Sequence, residues 1–126
     1  MAEIDRRYYI SQQVWGILAL AALEKRTVTY EEVGNKIGQI PLNVSRFLLP
    51  IKEYCKYHDL PHLNALCVSK GKDGLPQDPE YGDDSADLLK AAMEFDWSNY
   101  TASPRDIAIA HELYELKNKT KASATG

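Results

Sequence analysis

The chain has 126 residues, a net charge of −3, and ordinary hydrophobic (44%), charged (26%) and aromatic (10%) shares. That length holds one domain with a core of its own, and that composition excludes a disordered chain. The apolar stretch over residues 17–23 is too short to cross a membrane, and two cysteines without a secretion signal lead to free thiols in a cytoplasmic protein as the expectation.

Residues 1–10 show little periodicity and read as an N-terminal arm. Ser11 suits the N-cap of a first helix in which Val14, Ile17, Leu18, Ala21 and Ala22 recur at three- and four-residue spacing. That helix is expected to stop near residues 24–26. Thr27-Val28-Thr29-Tyr30 is short and β-branched, an extended linker or a strand stub. Thr29 and Glu32 stand at capping-box spacing and open a second helix over residues 30–37, which Gly38 ends. Pro41 suits the first turn of a third helix with Val44, Phe47, Leu48, Ile51, Tyr54 and Cys55 as its apolar stripe. Pro50 has no N–H to give and predicts a kink, or two helical pieces over 41–49 and 50–57.

Residues 63–69 read as a buried strand, Gly71-Lys72-Asp73-Gly74 as a turn, and Leu75 as the start of a return strand, together a small hairpin. Residues 76–84 read as a loop. A fourth helix is predicted over 85–95. Ser103-Pro104 starts a last helix that runs to about residue 118, with Ile107, Ala110, Leu113, Tyr114 and Leu116 inward, before a frayed tail over 120–126. The expected fold is α+β and mostly helical: a winged helix-turn-helix-like module over 11–76 with a small β-hairpin, then an acidic extension over 77–119 with two C-terminal helices.

Charge is divided along the chain. Residues 1–72 hold ten Lys/Arg against seven Asp/Glu, whereas residues 73–116 hold two against eleven, a segment of net charge −9. Any nucleic-acid contact therefore belongs to the first part, with the acidic part turned away from phosphates. Cys55, His58, His62 and Cys67 are donor types for zinc, but their Cys-x2-His-x3-His-x4-Cys spacing fits no common finger and reads as two buried cysteines and two helix-end histidines. The acidic residues between Asp73 and Asp87 lack the alternating-acid loop and closing glutamate of a calcium site. No metal, other cofactor or catalytic group is expected. Aromatics at helical spacing read as core, with Tyr8 and Tyr9, next to Arg6-Arg7, kept as contact candidates.

Gln13-Val14-Trp15, Leu18, Thr27-Val28-Thr29-Tyr30, Val33, Ile37-Gly38 and Arg46 together resemble the C-terminal DNA-binding domain of O6-alkylguanine-DNA alkyltransferases and alkyltransferase-like proteins, over roughly residues 13–76. The resemblance implies a tyrosine, Tyr30, at the backbone beside a flipped nucleotide and an arginine, Arg46, filling the gap in the base stack. Lys70 and Lys72 would line a DNA-facing wing. The family's reactive Pro-Cys-His-Arg run is absent, and Asn64-Ala65-Leu66-Cys67-Val68-Ser69 stands in its place. Cys67 has no histidine beside it to draw off its proton. The resulting expectation is a non-catalytic, alkyltransferase-like protein that binds double-stranded DNA and senses unusual bases. The alternative is a small interaction or inhibitor protein, phage or defence related, that uses residues 73–116 against a protein partner.

Overall fold

The computed structural model describes residues 4–70, 74–76, 78 and 80–125, with side chains up to residue 119. In chain order the elements are α1 (Arg6–Leu23), β1 (Val28–Thr29), α2 (Tyr30–Ile37), α3 (Ser45–Tyr57), β2 (Cys67–Val68), α4 (Ser85–Glu94) and α5 (Pro104–Thr125). The protein is α+β and mostly helical, as the sequence leads one to expect.

The first helix starts six residues earlier than its apolar spacing suggests. Asp5 accepts the Arg7 backbone N–H at 2.8 Å and caps it, so residues 6–10 are helix rather than arm. Ser11 is not the cap. It is buried within α1, where its hydroxyl donates to the Phe47 carbonyl at 3.0 Å. Tyr8, Val14, Trp15, Leu18, Ala21 and Ala22 form the buried stripe, and α1 packs against every other helix. Its end and that of α3 share one device. Lys25 and Asp59 take left-handed φ values of 56° and 54°. Arg26 then donates back to Ala21, and Leu60 to Cys55, closing the last turns.

The capping box at Thr29 forms in both directions. The Glu32 N–H donates to Thr29 Oγ1 at 3.1 Å and the Thr29 N–H donates to Glu32 Oε1 at 3.2 Å. Gly38, at φ 70°, ends α2. Gly34 serves a different need: a Cβ there would stand 2.5 Å from the Gln39 carbonyl oxygen, so the return of the chain toward Pro41 requires a bare α-carbon.

Residues 41–43 form one 3-10 turn, and α3 then runs unbroken through Pro50. Proline cannot bond the carbonyl four residues back, which is that of Arg46. Arg7 Nε donates to that carbonyl instead, at 3.1 Å. With Ser11 bonding the next carbonyl, α1 caps the defect that Pro50 leaves in α3.

The expected hairpin differs. Residues 63–66 coil into a 3-10 turn, and Cys67–Val68 pairs with Val28–Thr29 in parallel, Val28 opposite Cys67. The Ser69 N–H donates to the Leu75 carbonyl at 3.3 Å. Val28, Cys67 and Val68 are all buried, so β2 pairs where its side chains reach the core. A two-helix unit with a short parallel sheet is thus present, without a wing among the described residues. In α5, Leu113 and Leu116 are exposed and His111 is buried in their stead, and the helix continues to Thr125 rather than stopping near residue 118.

Two stability outcomes are expected. Arg7→Ala should cost about 1 kcal/mol in urea denaturation, the usual net worth of one such bond. The cost should shrink in a Pro50→Ala background, where residue 50 supplies its own N–H, and an undiminished cost would show that the carbonyl is not what Arg7 serves. Gly34→Ala should destabilise by about 1–3 kcal/mol through overpacking against backbone. The same change at Gly16, where a Cβ meets nothing within 4 Å, should be neutral or stabilising.

Candidate functional site

A groove of about 410 Å³ lies where the start of α1, the first residue of α2 and the first half of α3 meet. Arg7, Tyr30 and Arg46 line it from those three elements, with Leu48, Lys52, Asn64 and Asp78 among the other walls. Two residues singled out in the sequence, Tyr30 and Arg46, therefore share one concavity although sixteen positions separate them. Arg46 is exposed, and among the described residues its guanidinium enters no ion pair. Asn64 is buried. Its Nδ2 donates to Tyr81 Oη at 2.7 Å, while Oδ1 accepts no hydrogen bond.

The other two expected contacts do not join them. Lys70 is exposed, stands 3.7 Å from Glu31, and does not line the groove. Lys72 lies outside the described residues. Cys67 is fully buried and does not line the groove, and burial pushes its thiol up to about 12. A thiol so placed is protonated at neutral pH and has no nucleophilic role there. Tyr8 is buried against the His111 ring, which leaves Tyr9, half exposed, as the accessible member of that pair.

Part of the acidic segment turns toward the groove. Asp78 and Glu80 reach back to Lys52 of α3 at 2.6 and 2.5 Å, and Glu80 also pairs with Lys56. Lys52 is 7% exposed, a buried cation whose charge requires such partners. Tyr81 is buried beside it, with the Lys52 ammonium 5.3 Å from the ring centre and the hydroxyl held by Asn64 and His62. Asp78 thus places one carboxylate in the groove wall and neutralises one of its cations. Sequence reading missed this fold-back, because pairing across 26 residues leaves no periodic trace.

Two further features carry no sequence signal of their own. A concavity of about 690 Å³ beside the second half of α1 is lined by Trp15, Phe95, Trp97 and Tyr100, with exposed Leu20 and Leu23 at its edge. Trp15 and Trp97 pack edge to face at 5.7 Å, and Trp15 does the same with Tyr54 at 5.3 Å, so these rings serve the core. Glu53 of α3 and His111 of α5 are both buried, with Glu53 Oε1 3.0 Å from His111 Nδ1 and Glu115 adjacent. Burial, then the neighbouring Glu115, pushes the Glu53 carboxyl above the usual range. By contrast, among the described residues Cys55, His58, His62 and Cys67 do not converge. His58 packs on Tyr54 and Tyr57, and His62 meets Tyr81.

The Glu80 pairs give a pH dependence with a definite sign. Hydrogen bonding from Lys52, then Lys56, holds the carboxyl at about 2, below its ordinary 4.5. A value depressed in the folded state means that the contribution is complete above about pH 4.5 and is lost as pH falls toward 2. Glu80→Gln should therefore lower the melting temperature at neutral pH, and the variant and the parent should draw together below about pH 4.5 and converge only near pH 2. Parallel curves down to that pH would remove Glu80 from the acid limb.

Comparison with protein-family models, with curated proteins and with solved structures gives no match for this chain.

Proposed function

We propose that the protein binds double-stranded DNA without chemistry, through the groove that Arg7, Tyr30 and Arg46 line, and that it favours sites where a base is displaced from the stack. The observation that carries this reading is the convergence of Tyr30 and Arg46 on one groove, with Arg46 exposed and without an ion pair among the described residues. An exposed arginine on a helix is suited both to a phosphate and to the gap that an extruded base leaves. Flipping costs a few kcal/mol, least at mismatched or damaged positions, so a filler for that gap selects such sites. The burial of Cys67 favours binding over alkyl transfer.

The cation set is smaller than the sequence suggests. With Lys52 neutralised and Lys70 off the groove, Arg7 and Arg46 remain. The alternative reading, an acidic surface for a protein partner, loses Asp78 and Glu80 to internal pairs. Of the acidic residues that remain, Asp84 and Asp87 sit at the start of α4, where negative charge suits the helix dipole.

Fluorescence anisotropy with duplexes that carry one mismatched or abasic position, at low salt, tests the proposal. Binding is expected to fall at least tenfold in Arg46→Ala and to weaken with salt at a log–log slope of about −2, for two phosphate contacts. Absence of binding at low salt, or an affinity unchanged in Arg46→Ala, overturns it.

A further inference from the structure

The Glu53, His111 and Glu115 side chains do not line the groove and have no part in the reading above, although Arg7 of the groove is an electrostatic neighbour of Glu53 and His111. His111 and Glu115 stand four residues apart on α5, so they share one helix face, and Glu53 meets them from α3. One donor atom from each, the imidazole nitrogen and two carboxylate oxygens, lies within 4.8 Å of the other two. Glu53 is 3% exposed and His111 7%, whereas Glu115 is exposed.

This grouping is costly as it stands. His111 Nδ1 is 3.0 Å from Glu53 Oε1, yet that nitrogen and both Glu53 oxygens are buried without an aligned hydrogen bond. A proton kept on Glu53 toward Glu115 offsets part of that cost, and a cation in place of that proton would satisfy both carboxyls and the imidazole at once. A histidine–glutamate ion pair would align its N–H with the oxygen, which this geometry does not do.

We infer that Glu53, His111 and Glu115 form a binding site for one divalent first-row transition ion, zinc being the natural probe. Metal–ligand distances of about 2.0–2.2 Å put donor atoms roughly 3–4 Å apart, which small rotations of these side chains reach. The imidazole disfavours calcium and magnesium, which take oxygen ligands, and the absence of thiolate disfavours copper(I). Three protein ligands with Glu115 at the surface leave further coordination positions open to solvent. The ion would tie the second half of α3 to α5 and so fasten the C-terminal helix onto the helix that carries Arg46.

The test uses the full-length protein, stripped with a chelator and titrated with zinc or cobalt(II). The expected result is one ion per chain, cobalt d–d bands without a thiolate charge-transfer band, and a melting temperature raised by zinc. Glu53→Gln and His111→Gln should each weaken binding at least a hundredfold, and Glu115→Gln at least tenfold. Because Glu115 is exposed, its variant keeps the fold and remains informative if the buried variants do not. No binding at submillimolar zinc, a thiolate band that implicates Cys55 or Cys67, or an affinity unchanged in Glu115→Gln overturns the inference.

Discussion

The contact between α1 and the proline-bearing turn of α3 sets the geometry of everything near the groove. Pro50 leaves the Arg46 carbonyl without its helical donor, and Arg7 supplies one from 39 residues away. Ser11 secures the next carbonyl from inside the core. The defect that a proline makes in one helix thus becomes the point at which another helix is fixed in rotation and height. Because the carbonyl belongs to Arg46, the same bond holds the backbone from which that side chain projects. Arg7 acts twice, as a cap for the α3 backbone and as a cation on the groove.

A second constraint comes from burying a cation. Lys52 sits on the inward side of α3 and would be costly there without partners. The segment after β2 therefore folds back to bring Asp78 and Glu80 to it, and Tyr81 closes over the pair. The fold-back gives the groove its far wall and also lowers its positive charge. A surface that combines two arginines with a neutralised lysine binds through a few placed contacts rather than through bulk attraction. That suits recognition of a local distortion in DNA better than tracking along its backbone.

The other face of α3 meets α5 through Glu53 and His111. Polar groups this deep fix how two helices register against each other, since any slide leaves them further from a partner. Phe47 and Ile51 of α3 lie in one buried cluster with Ile107 of α5, so the polar cluster borders an apolar seam. α3 is therefore held on three sides, by α1 at its proline, by the acidic fold-back at Lys52, and by α5 at Glu53.

Local chemistry was legible in the sequence wherever a few neighbouring residues decide the outcome. The Thr29–Glu32 box, the stop at Gly38, the Ser103 start of the last helix and the apolar stripe of α3 all follow from short-range sterics and hydrogen bonding. The sharing of one groove by Tyr30 and Arg46 has no local signal and is a result of packing. What the sequence left open is what depends on partners far along the chain. Ser11 has the look of a cap and is a core hydrogen bonder, because Phe47 happens to offer a carbonyl. Residues 67–68 look ready for a hairpin and pair in parallel with residues 28–29, because that is where Val28 lies buried. The −9 segment reads as a repelled surface, yet part of it neutralises α3. Propensity and periodicity are properties of segments, whereas the destination of a buried donor, acceptor or charge is a property of whatever the packed chain brings within three ångströms of it.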